Sequence, residues 1–348
     1  MKKILILPIL IFLITPLKIS AQEILNNYVV MDIDSKRILN GQNIDEQIYP
    51  ASTTKIMTAI VAIENSNPLD VVKVGNEILI ADGTNIYIEP GENMLLNDLL
   101  YGMILRSGND AALALANHTG GNVENFVKLM NEKARQLNLK NTNFENPTGL
   151  DDTTKNTSSV HDLATIYSYA YNNKNFRDIV KTKTYKTSSD KKSYYFKNRT
   201  EILDRYNKAT GGKTGYTPKA GRLLVSSASN NDLNLVIASR GNTYGYNNHI
   251  SMYENMFSKY KNYLILDKNS FNYKSNLDGK LYIKNSFIYP LTKEEKDKIS
   301  KKIVFNNKTK NEVGEILIYL DKDLIHKEKV YLREAHESFF QKLKKLFK

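Results

Sequence analysis

The stretch "GRLLVSSASNNDLNLVIASRG", residues 221–241, decides the fold. Two apolar runs rich in Val, Leu, Ile and small residues flank Asn230-Asn231-Asp232, the composition of a tight turn between paired strands. Far upstream, "NNYVVMDIDSKRILNGQN" reads the same way: Val29, Met31 and Ile33 alternate, Asp34-Ser35-Lys36 turns, and Arg37 to Leu39 return. The segments between these hairpins have helical rather than strand periodicity. An apolar helix runs on from Ser52, two more cover roughly 97–105 and 109–118 with a break at Ser107-Gly108, and others cover 123–137 and 161–172. Residues 182–202, rich in Tyr, Thr, Ser and Lys, suggest exposed hairpin strands, and 246–262 a closing helix. Strands, then helices, then strands predict an α+β domain whose first and last hairpins share one antiparallel sheet.

Beyond residue 264 the texture changes. "KLYIKNSFIYPLT", "KKIVFNNKTK", "EVGEILIYLDKD" and "LIHKEKVYL" are short alternating runs separated by Asn, Lys and Asp, which predict a small all-β domain over 264–334. The chain opens "MKKILILPILIFLITPLKISAQ", a charged start, an apolar run broken by Pro8 and Pro16, and a small-residue site before Gln22. This is the pattern of a cleaved secretory signal over residues 1–21, with 22–263 as the first domain of the exported protein. The final segment, 335–348, places Phe339, Phe340, Leu343, Leu346 and Phe347 on one side of a helical wheel and four lysines on the other. Such a basic amphipathic helix suits the headgroup region of an anionic bilayer.

Composition narrows the chemistry. There is no cysteine, so disulfide and thiol chemistry are excluded. His118, His161, His249, His326 and His336 are scattered without metal-ligand spacing, so neither a metal nor another cofactor is expected. The formal charge of +12 falls to +9 once Lys2, Lys3 and Lys18 leave with the signal. A basic exported protein favours lipid headgroups or wall polymers, and no nucleic-acid motif is present.

Three short motifs remain. In "PASTTKIMTAI" (50–60) Ser52 occupies an expected N-cap, and Lys55 stands where a capping box would carry Glu or Gln. A cation there opposes the helix macrodipole. The pair makes sense as nucleophile and base: a serine hydroxyl needs an adjacent base, and a lysine serves only when burial or a second cation holds it neutral. Ser107-Gly108-Asn109 falls at a helix–helix break able to project a hydroxyl and a carboxamide into a cleft. Lys213-Thr214-Gly215, preceded by Gly211-Gly212, offers a cation and a hydroxyl on a strand edge that a ligand backbone can approach. Taken singly, each motif is also an ordinary capping turn or glycine-rich turn.

Ser-x-x-Lys, Ser-x-Asn and Lys-Thr-Gly in this order resemble the penicillin-binding proteins and serine β-lactamases. The wider stretches "GENMLLNDLLYGMILRSGNDAALALANHTGG", "TNFENPTGLDD", "HDLATI" and "GGKTGYTPKAGRLLVSSAS" resemble the D-alanyl-D-alanine carboxypeptidases among them, strongly over about 24–262 and more loosely in the β domain. The resemblance implies a transpeptidase-like fold, an antiparallel sheet flanked by helices. It implies a substrate ending in D-Ala-D-Ala on a peptidoglycan stem peptide, β-lactams as covalent inhibitors, and a location in the cell envelope, with the β domain as a spacer. By motif, Ser52 is the nucleophile, Lys55 its base and Ser107 the proton relay. Asn109 orients Lys55 and the substrate amide, Lys213 and Thr214 bind the terminal carboxylate with Gly215 beside them, and the N–H groups of Ser52 and Tyr216 form the oxyanion hole. Arg199, in "KNRTEIL", supports the carboxylate. Thr200 replaces the second Asn of a family Asn-x-Asn, and "GNTYGYNNH" lacks an Arg the family often carries before its last helix. A D,D-endopeptidase uses the same residues. A class A β-lactamase needs a Glu with an Asn four residues on, and Glu145 is followed there by Gly149. A non-catalytic penicillin sensor would have no use for Lys55.

Overall fold

The computed structural model describes residues 24–152, 156–273, 277, 279–306 and 311–333. The expected signal at 1–21 and the expected amphipathic helix at 335–348 lie outside them. The strands preceding the all-β unit are β1 (Leu25–Asp32), β2 (Ile38–Gln42), β3 (Val71–Lys73), β4 (Asn93–Leu95), β5 (Thr184–Ser188), β6 (Ser193–Lys197), β7 (Ala209–Thr217), β8 (Gly221–Asn230) and β9 (Leu233–Gly241). The helices are α1 (Lys55–Asn65), α2 (Leu96–Arg106), α3 (Asn109–Gly120), α4 (Val123–Gln136), α5 (Val160–Tyr171), α6 (Lys174–Val180), α7 (Ile202–Arg205), α8 (Tyr246–Lys259) and α9 (Lys293–Lys296).

Both hairpins enter one antiparallel sheet in the order β2-β1-β9-β8-β7, as the sequence predicts. The β8–β9 turn passes through Asn231, whose positive φ of 52° suits an Asn in a tight turn. Val29 and Met31 pack under the helical lobe, whereas Val30 between them packs with Leu224, Ile237 and Tyr253 beneath α8. Helices therefore cover both faces of the sheet, and β1 is buried on both sides. The second core also encloses His249, whose ring nitrogens each lie 2.7 Å from a serine hydroxyl, Ser226 and Ser239. Burial holds this imidazole neutral, with its pKa down at about 3.

The all-β unit contains β10 (Lys261–Leu266), β11 (Lys280–Ile283), β12 (Phe287–Leu291), β13 (Ile299–Phe305), β14 (Glu312–Leu320) and β15 (Asp323–Arg333). β10 pairs with β12, and the rest form a four-stranded sheet β11-β15-β14-β13 around Leu281, Ile283, Ile316, Ile318 and Val330. Arg37, at the β1–β2 turn, reaches across to this unit. It donates to both carboxylate oxygens of Glu295 at 2.6 and 3.0 Å and to the Pro290 carbonyl at 2.5 Å. Its guanidinium lies 5.4 and 5.1 Å from the Tyr260 and Tyr289 ring centres. Among the described residues no helix is long and apolar enough to cross a membrane.

Candidate active site

Ser52 is not an N-cap. It lies inside a 3₁₀ turn, Ala51–Thr54, and α1 begins only at Lys55; no side chain caps either element. The difference accounts for the motif's spacing. At three residues per turn, positions i and i+3 eclipse, so Lys55 stands directly over Ser52 rather than offset from it. Its Nζ lies 3.2 Å from Ser52 Oγ.

Neighbouring backbone fixes the turn. Ala51 sits at φ +45°, a strained value for a residue with a Cβ. The loop after Phe144 packs on it so closely that a Cβ on Gly149 would lie 1.8 Å from the Ala51 carbonyl oxygen, and Gly149 itself has φ +87°. Only glycine fits there. On the other side β7 presses its bare backbone against the turn: a Cβ on Gly215 would lie 3.1 Å from Pro50 O and 3.2 Å from Ser52 N.

Lys55 is fully buried. Besides Ser52 it meets Asn109 Oδ1 at 2.5 Å and the Thr148 carbonyl at 2.7 Å. The carboxamide orientation is set independently, because Asn109 Nδ2 donates to the Asp82 carbonyl. Both oxygens can only accept, so a neutral amine gives each an N–H and keeps its lone pair for the Ser52 hydroxyl. The electrostatics favour that state. Burial first, then the charge on Lys213 and a smaller push from Arg199, hold the Lys55 pKa well below its ordinary value, against a pull from Asp110.

Lys213 is also buried. Its ammonium donates to Ser107 Oγ at 3.0 Å and to the Thr214 carbonyl at 2.8 Å. Burial, reinforced by Arg199, lowers its pKa to about 7. Ser107 is the left-handed residue that ends α2 (φ 66°), so the chain turns there and points its hydroxyl at β7 while Asn109 opens α3. Arg199 is exposed at the rim, its backbone N–H on Leu105 O and its guanidinium 3.1 Å from Thr84 Oγ1. Thr214 is half-buried and Tyr216 is 52% exposed, both on the edge strand. The three motifs therefore meet in one cleft between the β7 edge and the helical lobe.

Three contributors carry no motif. The Thr148 carbonyl is a backbone acceptor that any residue could supply. Asp110 accepts the N–H groups of Ile86, Tyr87 and Ile88 and of Ala111, tying the 82–88 loop to the start of α3. Asp151 accepts from Thr217 Oγ1 at 2.6 Å, and its carbonyl accepts from Lys219 at 2.7 Å, which fastens the Gly149 loop to the end of β7. Among the described residues no group of three or more His, Asp or Glu is arranged to hold a metal ion.

Comparison with known proteins agrees. Residues 15–241 match the family profile described as D-alanyl-D-alanine carboxypeptidase, and residues 255–338 that of the penicillin-binding protein 5 C-terminal domain. The D-alanyl-D-alanine carboxypeptidase DacA of Haemophilus influenzae is 38% identical over 247 residues, 66% of this chain and 59% of the relative. DacF of Bacillus subtilis is 33% identical over 214 residues, 60% of this chain and 55% of the relative. The matched stretch thus spans somewhat over half the length of these relatives. Penicillin binding protein 5 from Haemophilus influenzae superposes with a TM-score of 0.76 at 27% identity, covering 91% of this chain and 98% of that one. The D-alanyl-D-alanine carboxypeptidase of Mycobacterium tuberculosis gives 0.64 at 31% identity, covering 69% and 95%.

Proposed function

The chain belongs to the D-alanyl-D-alanine carboxypeptidase family of serine peptidases, and on that premise we propose that it removes the terminal D-alanine from peptidoglycan stem peptides through an acyl-enzyme on Ser52. One observation carries the reading: a buried lysine with two fixed acceptors turns its remaining position to the Ser52 hydroxyl at 3.2 Å.

In this reading neutral Lys55 takes the Ser52 proton as Oγ bonds to the penultimate D-Ala carbonyl carbon. The oxyanion is met by the Ser52 and Tyr216 N–H groups. The C–N bond then breaks. The proton on Lys55 passes through the Ser107 hydroxyl to the leaving amine, free D-Ala departs, and an ester remains on Ser52. Water attacks that ester and gives a proton to Lys55; the C–Oγ bond then breaks, Lys55 returns the proton to Ser52 Oγ, and the shortened peptide leaves. Lys213 and Thr214, supported by Arg199 and with Gly215 allowing close approach, hold the substrate carboxylate. Asn109 orients Lys55 and the substrate amide. A β-lactam would acylate Ser52 by the same attack and persist as the ester.

The same reading extends to organisation: a signal at 1–21, a catalytic unit at 22–263, a β-sandwich spacer at 264–334, and a membrane-seated helix at 335–348 on the outer face of the cytoplasmic membrane. Gly149 argues against β-lactamase activity, because its position admits no side chain and so no class A asparagine. Mass spectrometry of a D-Ala-D-Ala pentapeptide tests the assignment. Loss of one alanine, abolished by Ser52→Ala, is expected; an unchanged peptide with only slow penicillin labelling would make the protein a sensor instead. Deleting residues 337–348 is expected to shift active protein from membranes toward the soluble fraction.

A further inference from the structure

The outer face of the β11–β15 ribbon carries a group of cations with no role in the chemistry. Strand register sets Lys280 opposite Arg333 and Tyr282 opposite Tyr331. Alternation turns Leu281, Ile283 and Val330 into the core and leaves Lys280, Tyr282, Lys284, Tyr331 and Arg333 outside. The two tyrosines stack with ring centres 5.4 Å apart, Lys284 Nζ lies 4.2 Å from the Tyr331 ring centre, and the Arg333 guanidinium 5.3 Å from that of Tyr282. Next to this ladder is a cavity of about 350 Å³ whose lining sets Lys268, Lys280 and Arg333 beside the apolar Phe271, Leu281 and Ile283. None of Lys268, Lys280, Lys284 or Arg333 forms an ion pair with another described residue. Among the described residues, the neighbouring acids Asp267 and Glu312 are engaged: Asp267 accepts from Asn269 N and Ser270 Oγ, and Glu312 is paired with Lys329.

We propose that this face is a membrane-contact surface, and that the cavity bounded by Lys268, Lys280 and Arg333 takes the phosphate of an anionic lipid headgroup. Three observations carry the commitment to lipid. The cations converge on a concavity of headgroup size, where a solvated charged face would spread them. Tyrosines with one apolar side and a wet edge between basic residues are the composition of a membrane–water interface. The chain leaves this face at Arg333 and runs into the basic amphipathic sequence of 337–348, so both elements can address one bilayer. The inference rests on the envelope location proposed above but not on the hydrolytic reading.

The test is partition of the full chain onto vesicles of equal parts phosphatidylglycerol and phosphatidylcholine, compared with phosphatidylcholine alone. The variant Lys268→Gln/Lys280→Gln/Arg333→Gln is measured beside a chain lacking 337–348 and beside the two changes combined. Each cation contributes about fivefold at low salt, so the triple variant should partition on the order of a hundredfold more weakly onto the anionic vesicles. It should be unchanged on phosphatidylcholine and retain the wild-type melting temperature and penicillin labelling. The combined variant should bind less than either parent. Wild-type partition of the triple variant overturns the proposal and leaves anchoring to 337–348 alone. Loss of binding to a soluble phosphate-rich wall polymer, with vesicle binding intact, overturns it in favour of the wall. Full displacement of the wild type from vesicles by millimolar inorganic phosphate, where equal ionic strength of chloride has no effect, reduces the cavity to a free-anion site and also overturns it.

Discussion

Lys55 in the cleft and Arg37 at the joint between the two units are both cations withdrawn from water, and their surroundings differ in one respect. Arg37 meets a carboxylate in a two-pronged pair and is flanked by two tyrosine rings. Burial alone would lower its pKa, but the hydrogen bonds and charge of Glu295 outweigh that and raise it. Lys55 meets only neutral oxygens and, nearby, another lysine, so burial and repulsion act together and lower its pKa. A buried cation paired with an anion is held charged and serves as a structural joint; one with no anion in contact is held neutral and is free to accept a proton. Lys213 falls between, with a pKa of about 7 in the free protein and a substrate carboxylate as its proposed partner.

The contrast is broken most severely at Lys55. Lys55→Met keeps the bulk and removes the lone pair, and should slow penicillin acylation by about 10³-fold or more, read by stopped-flow labelling. If acylation persists within tenfold, the base lies elsewhere. Gly149→Ala comes next. Its Cβ cannot coexist with the Ala51 carbonyl, so the loop must move, costing about 3 kcal/mol of stability and displacing the Thr148 carbonyl from Lys55. A melting curve and an acylation rate should therefore both change, where an ordinary loop substitution would leave the rate alone.

Arg37→Gln sharpens the other side. Leaving Glu295 partly buried without its partner should cost about 2 kcal/mol. The effect should appear as earlier unfolding or proteolysis at the joint, with acylation of Ser52 unchanged; a slowed acylation would mean that the joint reaches the cleft. The smallest effect is in pH. As pH rises through about 7, free Lys213 loses its proton, so kcat/KM should fall on that side as the grip on the carboxylate weakens, while KM for uncharged ester substrates stays level. Stability runs the other way. The folded pKa of Lys213 is depressed, so the unfolded chain binds more protons between pH 7 and the ordinary lysine pKa, and this residue's contribution to stability rises with pH across that window. Lys213→Met should accordingly stabilise the fold modestly at neutral pH while impairing turnover.

What the sequence disclosed was whatever resides in side-chain identity and period. The hairpins of β1–β2 and β8–β9 were legible because turn residues interrupt alternating or apolar runs. Lys55 stands out because a cation at a helix start opposes the macrodipole, whereas Ser107, Asn109 and Lys213 are marked only by the order in which the three motifs occur. Ser before an apolar helix normally caps it, so Ser52 reads as an N-cap; nothing local announces that the first turn is 3₁₀. Thr148 contributes through its carbonyl, which no sequence pattern marks. Gly149 is required by the proximity of Ala51, almost a hundred positions away in the chain. Asp110 and Asp151 hold loops by bonds that exist only once the lobe has closed.

The position of β7 at the rim of its sheet has a cost outside catalysis. An edge strand with Gly211, Gly212 and Gly215 is the kind of surface on which foreign chains add themselves as extra strands, and proteins ordinarily blunt such margins with charge, bulges or a cover. Here the margin is sheltered by an overhang instead: the 50–53 turn sits against Gly215 and Ser107 against Lys213. The same overhang that frames the cleft thereby guards the sheet margin against edge-to-edge aggregation.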